Sequence, residues 1–174
     1  MIEIKHRVTA QVLHTVEADS LEYATLAGAQ LRGANLAAAN LLGADLRAAD
    51  LRDADLHGTH LGFADLTGAK LAQADLRNSD LNTAALGMAD FTGAKLDGAD
   101  LYGADLFGAT LDQATLEGTS LRGADLDSAR LTGTRLTGCF YDHTTRWPSN
   151  FKPELHGAVL LTLAPVVEPG PDHR

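Results

Sequence analysis

The chain has 174 residues and a formal net charge of −9, from 23 acidic and 14 basic side chains. That charge repels phosphate and argues against direct nucleic-acid binding. No apolar run is long enough for a spanning helix, and the N-terminus lacks the apolar core of a secretion signal, so the expected location is cytoplasmic.

Residues 1–19 read as an N-terminal cap. The segments "IEIKHRV" and "QVLHTVE" alternate apolar and polar residues, which predicts two short strands. They join near Thr9-Ala10 as a hairpin that covers the start of the next segment.

Beyond the cap the chain is a repeat. From Leu21 to Leu136 every fifth residue is Leu except Phe91, so Leu holds 23 of 24 positions. Two residues before each, from Ala24 to Thr134, come 19 Ala, three Thr (Thr59, Thr119, Thr134) and Ser79. An α-helix cannot keep a five-residue period on one face, and a strand has a period of two. The chain must therefore run extended for about three residues, turn, and start again. Glycine recurs two residues after the leucine, as at Gly28, Gly43 and Gly138, where a tight corner needs it. Turns of one hand wind such a chain into a solenoid with Leu and Ala inside. The aromatic content of 5% fits a core of that kind.

The repeats are expected over 20–138, and 139–163 is read as a C-terminal cap. Cys139 stands at the next small inward position and is expected to be a buried substitute for Ala. As the single cysteine it makes no intramolecular disulfide. Phe140, Tyr141, Trp147 and Phe151 are expected to plug the open end of the leucine stack. Residues 164–174 are Pro/Gly-rich and are expected to be a disordered tail.

Stretches such as "GANLAAANLLGADLRAADLRDADL" and "GADLYGADLFGATL" resemble the A-[DN]-L-x-x unit of the pentapeptide-repeat family, in its bacterial form. The resemblance covers 21–138. It implies an all-β fold, a right-handed quadrilateral β-helix with four pentapeptides per coil. Twenty-four repeats then give six coils, a rod roughly 29 Å long at about 4.8 Å per coil. "IEIKHR" is similar to the N-terminal module of some family members, and the W-P-x-x-F-x-P spacing to their C-terminal segment. Resemblance to dimeric members also implies a homodimer through the C-terminal cap.

No catalytic constellation stands out, and the narrow Leu/Ala interior leaves no room for a pocket with converging polar groups. The chain is expected to be no enzyme and to need no cofactor. His57 and His60 flank one corner but lack the further ligands a structural metal requires, so no metal is expected. The inward Thr and Ser are expected to bond backbone carbonyls. The Asp residues that recur before the leucines are read as outward residues bonding nearby amides, not as calcium ligands.

The surface is less uniform. With four repeats per coil, side one collects the repeats centred on Leu21, Leu41, Leu61, Leu81, Leu101 and Leu121. Side two collects Leu26, Leu46, Leu66, Leu86, Leu106 and Leu126. Together they hold eight acids (Glu22, Asp45, Asp65, Asp80, Asp100, Asp105, Asp125, Asp127) and two bases (Arg47, Arg122), a net of −6. Sides three and four hold eight acids and seven bases, a net of −1. Leu42, Phe63, Met88, Tyr102 and Phe107 also fall on sides one and two, as does Tyr23. A cluster confined to half of a rod is a candidate contact surface.

The expected function is therefore a non-catalytic interaction or scaffold rod. It binds a protein partner with a basic surface through Leu42, Phe63, Met88, Tyr102 and Phe107 and the acids Asp65, Asp80, Asp100, Asp105 and Asp125. The alternative, from resemblance to the family's fluoroquinolone-resistance members, is a DNA mimic that engages DNA gyrase or topoisomerase. The acidic sides carry one net charge per roughly 5 Å, against one per about 1.7 Å in DNA, so the mimicry would be weak.

Overall fold

Every five-residue step closes through one hydrogen bond. The amide of the small residue donates to the leucine carbonyl three positions back, as from Ala24 to Leu21 at 3.1 Å. In the computed structural model, which describes residues 1–162, the third residue of each such turn has positive φ at all 24 corners, 13 of them glycine. Positive φ at that position alone is the signature of a type II turn.

Successive circuits are joined by parallel bridges with a step of twenty residues, for example Asp45↔Asp65↔Ala85↔Asp105↔Asp125. Four such columns run side by side, starting at Thr25, Gln30, Asn35 and Asn40. The bonds are regular: the Leu81 amide donates to Asp100 at 2.8 Å and the Leu86 amide to Asp105 at 2.7 Å. A twenty-residue step is four pentapeptides, so each of the four faces collects every fourth repeat, as the side assignment requires.

The inward columns form a continuous core in which Leu41, Leu61, Leu81, Phe91, Leu101 and Leu121 are wholly buried. Thr59, Ser79, Thr119 and Thr134 are buried among them. Their hydroxyls donate to backbone carbonyls, as Ser79 does to Leu76 at 2.7 Å and Thr119 to Leu96 at 2.7 Å. Leu131 departs from the expected pattern. It is half-buried, because no described backbone pairs with its edge of the last circuit.

At the N-terminal end β1 (Ile2–Lys5) pairs antiparallel with β2 (Val12–Val16), with a register shift between Ile4 and Lys5. Ala10, with φ 58°, takes the left-handed turn between them. Ile4 is buried against the leucine stack. The Lys5 carbonyl accepts the Asn35 amide at 2.8 Å, and the Arg7 amide donates to Gly33 at 2.9 Å. The hairpin thus covers an edge of the first circuit.

At the other end β3 (Phe140–Tyr141) pairs in parallel with β4 (Val159–Leu160), across a short 3-10 turn at Pro153–His156. Tyr141, Trp147 and Phe151 are partly buried against the core. Tyr141 meets Trp147 edge-on at 5.6 Å, and Trp147 stacks on Phe151 at 5.3 Å. Phe140 is not part of this plug. It occupies the outward bridge position above Ser120 and is exposed, because the five-residue register continues through Cys139. Cys139 is wholly buried, and desolvation pushes its thiol up to about 12, so it is an inert packing residue. The Pro/Gly-rich tail expected over 164–174 lies outside the described residues.

Candidate protein-interaction face

The corners that are not glycine define this surface. An L-residue with left-handed backbone costs about 1–2 kcal/mol, because Cβ crowds the following carbonyl. Sides three and four fill such corners with Ala38, Asp53, Gln73, Asn78 and Gln113. Sides one and two place Tyr23 (φ 54°), Phe63 (φ 58°), Thr83 (φ 53°) and Met88 (φ 59°) there, besides Ala48 and Ser128. Bulky or β-branched residues are the least tolerated at positive φ, and all four lie on one half of the rod.

The backbone also aims these side chains. A left-handed corner residue leans over the corner one circuit later, and most often that corner is glycine. A methyl built on Gly43 would run into the Tyr23 ring, and one on Gly108 would come 2.6 Å from Met88 Sδ. Tyr23 is 70% exposed, Phe63 70%, Met88 66%, Tyr102 49% and Phe107 47%. Leu42 differs: it is half-buried and lies over Gly62, where a methyl would come 3.3 Å from Leu42 Cδ1.

The acids around these residues have structural partners. The Asp100 carboxylate accepts the Tyr102 amide at 3.0 Å, and Asp105 accepts the Phe107 amide at 2.9 Å. Asp65, Asp80 and Asp125 likewise accept the amide two residues on. Each is a local turn in which a side chain mimics backbone. This satisfies the corner amide and still leaves the charge outside.

Ion pairing then sorts the charges. Arg47 lies on Asp45 and, at 3.7 Å, on Asp65. Arg146 holds Asp125 and Asp127. Arg122 pairs with Asp142 at 3.6 Å while its guanidinium stands 5.7 Å from the Tyr102 ring centroid. Among the described residues, Glu22, Asp80, Asp100 and Asp105 on this half have no cationic partner. Asp80 and Asp100 are successive members of one column. These two sides therefore carry the exposed aromatic and thioether groups together with uncompensated carboxylates.

His57 and His60 do not converge. The His57 Nδ1 lies 2.7 Å from Asp55, whereas His60 belongs to the bridge column of side one. The strained corners and the Arg122–Tyr102 contact were missed in the sequence. A scan of corner positions for large residues where glycine is usual would have found the first.

The pattern of the family described as pentapeptide repeats matches in eight copies, over 20–53, 44–82, 61–98, 74–113, 86–122 and 104–140. The chain belongs to the pentapeptide-repeat family. Among solved structures it is similar to HetL, a pentapeptide-repeat protein involved in heterocyst differentiation regulation in the cyanobacterium Nostoc (26% identity, 80% of this chain and 82% of that one, TM-score 0.50). It is also similar to a pentapeptide-repeat protein of the Arabidopsis thaliana thylakoid lumen (34% identity, 53% and 65%, TM-score 0.52), and to Rfr23 of the cyanobacterium Cyanothece (36% identity, 59% and 63%, TM-score 0.45). The last two matches span less than two thirds of those chains. No curated protein matches the chain. None of the described helices is long and apolar enough to cross a membrane.

Proposed function

We propose that this pentapeptide-repeat protein is a non-catalytic interaction rod. It winds right-handed through six coils, acts in the cytoplasm without a cofactor, and binds a protein partner through sides one and two. The observation that carries this reading is the placement of Tyr23, Phe63, Thr83 and Met88 in left-handed corners on one half of the rod. Strain of this kind concentrates at functional sites, and here it lifts large side chains out of the surface. Tyr102 and Phe107 are the anchors, because each projects from a corner pinned by its own Asp. Aromatic anchors dominate many interfaces, and the unpaired acids favour a partner that is basic around apolar pockets.

The gyrase reading has less support. Pairing of Asp45, Asp65, Asp125 and Asp127 with arginines leaves the acidic half still sparser in free charge than a duplex. The separating experiment is a DNA gyrase supercoiling assay with and without a fluoroquinolone. The interaction-rod reading predicts no change in either arm when the protein is added. Inhibition of supercoiling, or rescue from the drug, would replace it with the mimic reading. Trp147 and Phe151, the residues that point to self-association through the C-terminal cap, are partly buried against the rod's own core.

A further inference from the structure

The N-terminal hairpin has a free edge. β2 pairs with β1 on one side only, and among the described residues its other edge meets no backbone. Edge strands are normally blunted by charge, proline or a covering element. β2 reads Val-Leu-His-Thr-Val, with neither a formal charge nor a proline, and a single bulge at Leu13 is its one protecting feature. Val8, Val12 and Met1 are exposed around it.

We infer that β2 is the docking edge for a second copy of this chain, forming an antiparallel pair across a two-fold axis at His14. Two features of the molecule select a second copy as the occupant. Val12 and Val16 lie two residues either side of His14, so antiparallel pairing sets Val12 against Val16 of the partner strand, while Leu13, at the bulge of the β1–β2 register, stays out of the regular pairing. β-branched and apolar residues meeting in this way form favourable cross-strand pairs. Charge is the second feature. Residues 1–17 hold two acids (Glu3, Glu17) and two bases (Lys5, Arg7), so the remaining chain carries the whole net charge of −9. Two strongly acidic rods repel each other least where they are neutral, and that is the hairpin. A two-fold contact is isologous and closes after two copies, so the edge yields a dimer and not a fibre.

Sedimentation equilibrium of the full chain over a concentration series tests this. Wild type is expected to show a reversible monomer–dimer equilibrium. Val12→Lys with Thr15→Lys puts two exposed charges on the edge and is expected to give a monomer at every concentration, with an unchanged melting temperature. Leu155→Lys, an exposed position at the opposite end, is expected to dimerise as wild type does. A wild type that stays monomeric at its highest soluble concentration overturns the inference, as does a double variant that still dimerises. The face-binding reading is independent of either outcome.

Discussion

Leu81 lies at mid-rod, wholly buried, between Leu61 and Leu101 of the neighbouring circuits. Truncating it to Ala leaves a cavity that the column cannot close, because each circuit is held at strand spacing by its bridges on all four faces. Leu→Ala in such a core costs about 2–5 kcal/mol. For a chain of this length, each kcal/mol lowers the melting temperature by about 2–4 °C, so a fall of about 4–20 °C is expected. Leu81→Asp must be worse. The hydroxyl nearest in sequence, Ser79, already donates to the Leu76 carbonyl, so a buried carboxylate finds no donor. Contacts run only between neighbouring circuits, so the defect splits the rod and cannot be bypassed. Thermal melts followed by circular dichroism read both variants. A Leu81→Asp protein that melts like wild type would refute the inward assignment and the coil built on it.

Gly93→Ala meets two penalties: φ of 65°, and overlap of the new methyl with Gln73 Nε2. The backbone share is about 1–2 kcal/mol. Chemical denaturation should show Gly93→Ala costing less when combined with Gln73→Ala; equal costs in both backgrounds would mean that the corner side chain does not lean on the next circuit. Arg52 makes paired bonds to Asp50, at 2.8 Å through Nε, and Asp50 is only 6% exposed. Arg52→Glu should therefore destabilise by more than the loss of a fully exposed ion pair does, and an unchanged melt would show the pair to be idle. Acid should weaken the fold in a defined window. Arg47 holds the Asp45 carboxyl at about 2, and hydrogen bonds from Thr144 hold Asp142 at about 2. Both sit below the roughly 3.9 of an unfolded Asp, so protons bind the unfolded chain more readily. The stability they contribute is full above about pH 4 and is lost as the pH falls towards about 2. Denaturation midpoints across that range should fall, and fall less in Asp142→Asn; a flat profile would contradict the ion pairs.

The circuit was legible because its signal is redundant. Leu and Ala recur at five-residue spacing along the whole rod, so one inward assignment fixes every other, and four repeats per circuit follow from the family resemblance. Towards the C-terminal cap the reading weakened. Phe140 looked like part of the plug because it is aromatic, but it lies one residue after Cys139 and so points outward. Leu131 keeps the spacing yet is half-buried, since burial depends on whether chain returns above it and the repeat cannot say. The apolar residues of the candidate face were visible by sorting corners onto sides. The left-handed backbone of Tyr23, Phe63 and Met88 was not, because large residues there break the glycine rule that marks the other corners. Arg146 as the partner of Asp125 and Asp127 was hidden because the cap, not the repeat, places it.

The most direct test of the functional account is quantitative affinity capture from source-cell extract, at low and high salt, with three forms of the rod. These are wild type, Tyr102→Ala with Phe107→Ala, and Lys70→Gln on the opposite half. A partner that uses sides one and two should be enriched equally by wild type and Lys70→Gln, weakened by salt, and lost on the double variant at an unchanged melting temperature. Equal capture by the double variant, with loss on Lys70→Gln, would place recognition on the other half of the rod and contradict the account.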